Sequence, residues 1–502
     1  MHSRSLRTAV AIATVSALAT TLAACGPGEP DEPSTLDVGV TSLSGTYAPT
    51  GQVGTDTSAV YETLLSFDYG TLEFSPLLAT SYELSEDRLT ASFVLRDDVD
   101  FTDGEHFDAE AAATALTAVV DSMTETGIWV SYADYEVQFE ATGEYELAIT
   151  TALPMAPFGG NIFKQIMFLP IFSPAHVDDL EALATAPVGT GPYLLDELVP
   201  DVSASFVRNE DYWNLDAAPF DSVELTVYVD EVAGLNALKS GQIDAVTVST
   251  AVAADVETNG FRINEGPLAH TGLWIADRGG SILPAVADLR VREAIEYAFD
   301  REAINVALND GYGVITSQPF TSGTPEYVEG GDDRYGYDPE KARDLMAEAG
   351  YADGFDLVIP STTFLGINTL EPIVTQYLGD IGIRVTYETF ADAGAFFTAA
   401  LAGTYPVLLF PSGGDSALDA LFLPDAVLAF HAYSDPILDE LVATVDTGSL
   451  EESYEATSEI GEYVLDQAWY TVMSAPSIMW ASEQRIEVTG GGTFIRQFQL
   501  AG

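Results

Sequence analysis

Two periodicities alternate along this chain, and that alternation restricts the fold more than any other feature. Period-two stretches read as strands. Residues 36–40 form the first. Phe93 and Leu95 share one face of 92–96, and Tyr145, Leu147 and Ile149 alternate with Glu144, Glu146 and Ala148. Val223, Leu225, Val227 and Val229 alternate with Glu224, Thr226 and Tyr228. Between them, period-3.6 stretches read as helices. Asp108 is placed to cap a helix whose apolar face is Ala112, Leu116, Val119, Val120 and Met123. Asp338 and Pro339 open another, with Ala342, Leu345, Met346 and Ala349 turned inward and Gly350 past its end. Val291, Ile295, Ala298 and Phe299 line a third over 288–309, a surface helix with Asp300 near an internal break. The two patterns are interleaved throughout, so the fold class is α/β. A length of 502 residues calls for more than one domain or lobe, and 47% hydrophobic residues can fill large cores.

Only one cysteine is present, Cys25, and its surroundings explain it. Arg4 and Arg7 give a basic start, an alanine-rich apolar run covers 9–24, and small residues follow, which is the anatomy of a secretory signal peptide over 1–24. Leu22-Ala23-Ala24-Cys25 resembles the lipobox of bacterial lipoproteins. That resemblance implies cleavage before Cys25 and diacylation of its thiol, a tether to the outer face of the cytoplasmic membrane. Residues 25–35, rich in Pro, Gly and acid, read as a flexible spacer. With no second thiol, stability rests on packing rather than on a disulfide.

Charge narrows the partners. With 18 basic against 78 acidic residues the net charge is −60, which argues against nucleic acid and anionic lipid surfaces. No later stretch is long and apolar enough to span a bilayer.

Catalytic patterns are missing. There is no His-Glu-x-x-His, no Gly-x-Ser-x-Gly and no thiol left for nucleophilic work. His106, His176, His270 and His431 are too scattered for a metal set. In "PVGTGPYLL" (187–195) Gly189 and Gly191 have the spacing of a phosphate loop, but Leu194 stands where a third glycine belongs and no Lys-Ser/Thr follows. A tight turn into a strand is the better reading. No cofactor and no metal are expected, and the chain is not expected to be an enzyme.

From Val60 onward the sequence resembles the extracellular solute-binding proteins of the peptide/nickel class, family 5, which serve ABC importers. The resemblance rests on "VYETLLSFDYGTLEFSPLLATSYELSEDRLTASFVLRDDVDFTDGEHFDAEAAA" (60–113), "PVGTGPYLL", "RNEDYW" (208–213), "ALKSGQIDAV" (237–246), "DLRVREAIEYAFDREAI" (288–304), "YDPEKARDLMAEAGY" (337–351) and "YSDPILDELV" (433–442), all in the family's order. It implies a two-lobed periplasmic-binding-protein-like fold of type II, the large class with an extra subdomain in the first lobe. By analogy the first lobe covers 36–266, with the insert at about 77–186. The second covers 267–480, and 481–502 returns to the first. A monomer that captures a small solute and delivers it to a separate permease and ATPase is the expected function.

A peptide is the leading ligand expectation. Family peptide binders carry an Asp-Pro-containing stretch after a tryptophan. Here "LLFPSGGDSALDALF" (408–422) has Phe410 near the tryptophan's place, no Asp-Pro, and Asp415 or Asp419 as the candidate amine-binding acid. The resemblance also implies that the region of His431 borders the ligand cleft, where a chelate contact is conceivable. A non-peptide solute such as a sugar or metal chelate, a signalling module uncoupled from transport, and a secreted hydrolase remain open. Ligand contacts are expected from Tyr47 in a broken loop after the first strand, Trp274 just past the first lobe crossing, and Phe410, Ser412 and Asp415 around "FPSGGDS".

Overall fold

Backbone pairing gathers nine of the strands into one sheet. In the computed structural model, which describes residues 34–69, 71–126, 135–156, 162–363, 366–413, 417–423, 433 and 435–501, this sheet draws strands from both ends of the chain. The expectations for Cys25 and its signal, for Asp415 and for His431 lie outside the described residues. From one edge the order is Val407–Gly413, Arg262–Ile275, Ser477–Ser482, Ala245–Val248, Thr35–Val40, Ser222–Val227, Ser203–Arg208 and Tyr193–Val199, with Tyr470–Ser474 pairing Arg262–Ile275 beside this path. Thr35–Val40 is parallel to both its neighbours, and the other pairs are antiparallel. Leu36, Val38, Val223, Leu225 and Ala245 are fully buried there, which is why this part of the sequence is so rich in apolar residues.

Two large cores are built on opposite ends of the sheet's strand order. One is built from residues between Leu36 and Ala245, joined again by Trp480 to Phe498. The other is built from residues between Leu273 and Ala475. The chain passes between them along two neighbouring paths. Arg262–Ile275 pairs at its start with Ser477–Ser482 and at its end with Tyr470–Ser474 and Val407–Gly413. Its register shifts between Glu265 and Leu268.

The helices form where capping and period agree. Ala109–Thr126 follows Asp108, whose carboxylate accepts from Ala111 N at 2.8 Å. It covers the four-stranded sheet of Ala79–Leu84, Thr90–Leu95, Glu146–Thr150 and Gln138–Ala141 with Leu116, Val119 and Met123 inward. Pro339–Glu348 is capped by Asp338 at 2.9 Å to Lys341 N, and Gly350 takes the left-handed φ of 90° that stops it.

Two local readings gain detail and one is corrected. The stretch 288–309 is two helices, Leu289–Ala298 and Arg301–Asn309, because Asp300 caps the second at 2.9 Å to Ala303 N while Phe299 turns extended. The second helix lies at the surface, as expected: Val306 is 64% exposed and Glu302, Ala303 and Ala307 are exposed, while Arg301, Ile304 and Asn305 face inward, with the Arg301 guanidinium paired with Glu296. The alternation through Val229 overruns the strand, which ends at Val227. Val229 is 90% exposed, and Asp230 next to it caps Glu231–Lys239.

Candidate ligand-binding site

The motifs of the first core prove to be mortar. Glu62, from "YETL", is 1% exposed and accepts from the Tyr212 hydroxyl at 2.8 Å and from Trp213 Nε1 at 3.0 Å, both in "NEDYW". Burial holds its carboxyl above the ordinary range although both hydrogen bonds act to lower it. The Arg96 guanidinium lies 3.9 Å from the centre of the Trp213 ring. The glycines of "VGTGPY" are needed for close approach of two backbones. A Cβ on Gly189 would stand 2.1 Å from the carbonyl oxygen of Val60, and one on Gly191 would stand 2.6 Å from that of Ala59. Gly191 N in turn donates to Val60 O at 3.1 Å.

Tyr47 belongs to this same core. It is fully buried, with its ring edge-on to Phe206 at 6.2 Å, and its loop is pinned by Tyr47 N to Ala184 O at 3.0 Å and Val53 N to Phe168 O at 2.8 Å. Burial raises the Tyr47 hydroxyl's pKa, and the neighbouring Asp56 carboxylate adds to the shift. Asp56 itself accepts from the backbone and hydroxyl of Ser44 at 2.7 and 2.9 Å, closing the loop. A cavity of about 180 Å³ opens under this loop, lined by residues 44–53, Thr57, Tyr61 and Pro170. None of the other expected contact residues lines it.

Trp274, Phe410 and Ser412 are brought together instead by the second core. Along the Arg262–Ile275 and Val407–Gly413 pair, Trp274 stands opposite Leu408, Gly272 opposite Phe410 and His270 opposite Ser412. Trp274 is 1% exposed and packs within the second core. Phe410 is also buried, edge-on to Phe397 at 6.2 Å, and its carbonyl accepts from the Tyr470 hydroxyl at 2.6 Å. Ser412 sits one residue before the strand's end, near the shift in register where the long strand leaves for the other core. Asp419 falls in a single π-type turn, Leu418–Phe422.

Sequence reasoning missed the residue that fixes this segment. Arg278 donates through Nη1 to Phe422 O at 3.0 Å and through Nη2 to Leu421 O at 2.6 Å, and its guanidinium lies 4.3 Å from the Trp469 ring centre. It is 8% exposed, and desolvation pulls its pKa down to about 10, which leaves it charged at neutral pH. Beside it, Asp277 accepts from the backbone of Ser281, Ile282 and Leu283 at 2.8, 2.7 and 2.9 Å. "IADRGG" therefore bolts the end of 408–422 to the second core. The signal was present: an arginine among apolar residues stands out in a chain with only 18 cations.

The sequence pattern of the bacterial extracellular solute-binding proteins, family 5, matches residues 73–429, well over half the chain. The chain belongs to that family. Among family relatives, the nickel-binding periplasmic protein of Escherichia coli strain K12 is 31% identical over 301 residues, 59% of this chain and 56% of that protein. The chain thus spans little more than half the length of the curated relatives it matches. HbpA2 from Haemophilus parasuis superposes with a TM-score of 0.79 at 19% identity, covering 93% of this chain and all of that one. DppA from Helicobacter pylori, solved with the peptide STSA, gives 0.68 at 22% identity, covering 93% of this chain and 98% of that one. The α/β periplasmic-binding-protein fold expected from the sequence is the fold of this family 5 member. Among its described residues no helix is long and apolar enough to cross a membrane, and no three His, Cys, Asp or Glu side chains gather as a metal set.

Proposed function

We propose that this protein captures a small solute outside the cytoplasmic membrane and hands it to an ABC-type importer whose permease and ATPase are separate chains. The observation that carries this reading is the pair of neighbouring strand paths joining two independent cores. Two bodies on two short connections can close on a solute by a hinge and open again. Nothing in that cycle requires bond chemistry, so the chain acts as a carrier and not as an enzyme. We take the first core as lobe one, with the four-stranded sheet and its helix as the insert, and the second core as lobe two. Lipid on Cys25 keeps the carrier at the outer face of the membrane, near its importer.

The site we assign lies around Ser412 near the end of its strand, with Phe410 as the buried support of that strand and Asp415 as the acid for a cationic amine. A peptide is the first candidate, in keeping with the peptide held by the Helicobacter pylori protein. A metal chelate is the second, favoured by the relation to a nickel-binding protein. A panel of di- to tetrapeptides and nickel chelates, read by thermal shift, tests both. The true class raises the melting temperature with concentration. A peptide response that survives Asp415→Asn removes the acid from the account.

A further inference from the structure

The turn between Ala79–Leu84 and Thr90–Leu95 belongs to the four-stranded sheet of the first core, yet one of its side chains is buried in the second. Arg88 has a left-handed φ of 58°, a conformation that costs a non-glycine residue free energy. The turn is held in it by Arg88 N to Ser85 O at 2.9 Å, Thr90 N to Ser85 Oγ at 3.0 Å and Met155 N to Arg88 O at 2.8 Å. From this strained corner the side chain runs out and disappears: Arg88 is 2% exposed. Its Nη1 donates to Ser453 Oγ at 3.0 Å, in the first turns of the helix Leu450–Asp466, and its Nη2 donates to Val445 O, near the end of Pro436–Thr447.

The partners suit the cation. Val445 lies in the last turn of its helix, where carbonyls lack helical partners and the dipole is negative. Both helices pack on the second core through Leu438, Ile460 and Val464. A second corner of the first core meets the second nearby in kind: a Cβ on Gly323 would lie 3.5 Å from Leu72 of the turn between Glu73–Pro76 and Leu65–Asp68, and Leu72 is also left-handed, with φ 57°.

We propose that Arg88 is a latch between the two lobes, a side chain that holds them closed independently of any solute by binding the end of one second-lobe helix and the start of the next. The proposal rests on the reading of the chain as a hinged carrier. It assigns to that carrier a closed state with its own stabilisation, so the latch sets the ratio of closed to open forms and with it the rate at which a solute is released.

The test is a distance between lobes measured without solute. Fluorophores on Glu83→Cys and Glu459→Cys, in a chain carrying Cys25→Ser, report it by single-molecule energy transfer. Arg88→Gly removes both donors and also relieves the left-handed turn, so its melting temperature should stay within a few degrees of the parent. The open-to-closed ratio should rise about tenfold, the value of one charge-assisted hydrogen bond or more. Ser453→Ala, which removes an acceptor from the opposite lobe and leaves the turn intact, should shift the ratio in the same direction. If both variants keep the parent's distance distribution, the latch is overturned. If Arg88→Gly does not fold, Ser453→Ala alone decides. Because no solute is present, this outcome is separate from the thermal-shift test of solute binding.

Discussion

The Tyr212 hydroxyl donates to the Glu62 carboxylate at 2.8 Å across 150 residues of sequence, inside a core that admits no water-facing alternative for either. Glu62→Ala strands that hydroxyl and leaves Trp213 Nε1 without its acceptor. Each unpartnered group costs about 1–3 kcal/mol. Urea denaturation should show a loss of about 3 kcal/mol, and a loss below about 0.5 kcal/mol would mean that the motif is ornamental to the fold.

Gly189 and Gly51 give a matched pair. A Cβ at Gly189 meets the Val60 carbonyl at 2.1 Å, while one at Gly51 meets nothing within 4 Å. Gly189→Ala must push two backbones apart and should lower the melting temperature by many degrees or abolish soluble expression. Gly51→Ala should leave it nearly unchanged. Equal behaviour in a melting experiment would refute the close-approach account of "VGTGPY".

Glu296 provides a pH signature. Burial raises its carboxyl from 4.5 to about 7, against the opposing pull of Arg301. The folded chain then holds this proton more tightly than the unfolded chain does. Its contribution is therefore fully present below pH 4.5 and is lost as pH rises towards 7. Measured by denaturant midpoint, the parent should lose stability relative to Glu296→Gln across that interval. A constant difference between the two would rule the shift out.

Phe410 and Ser412 should separate support from contact. Phe410 is buried beside Phe397, so Phe410→Ala should cost the fold about 3–5 kcal/mol and weaken binding only as a consequence. Ser412→Ala should cost the fold less than about 1 kcal/mol and still weaken binding of a retained solute by several-fold. Isothermal titration of both variants against the same solute distinguishes the roles.

Period and capping made most of the framework legible. Asp108, Asp338 and Asp300 each cap the helix that follows, and 36–40 lies within the sheet's parallel centre. Residues far apart in sequence were another matter. Nothing local in "SEDRLT" says that Arg88 reaches a helix 365 residues later. The aromatic expectations meet the same limit. Tyr47 and Trp274 sit in segments that look irregular or marginal by period, yet both are packed from several directions by strands the sequence does not place beside them. Burial of large aromatics is the commoner outcome, and a one-dimensional pattern cannot tell a cleft wall from a core. Arg278 stands out as a cation, but the carbonyls it holds belong to a turn that exists only in the folded chain.

Native mass spectrometry of the protein purified under mild conditions tests the central claim most directly. The account predicts a discrete adduct that is released on denaturation, rebinds the emptied protein, raises its melting temperature and is recovered with its mass unchanged after long incubation. A product of altered mass that accumulates in proportion to protein and time would contradict it and make the chain an enzyme.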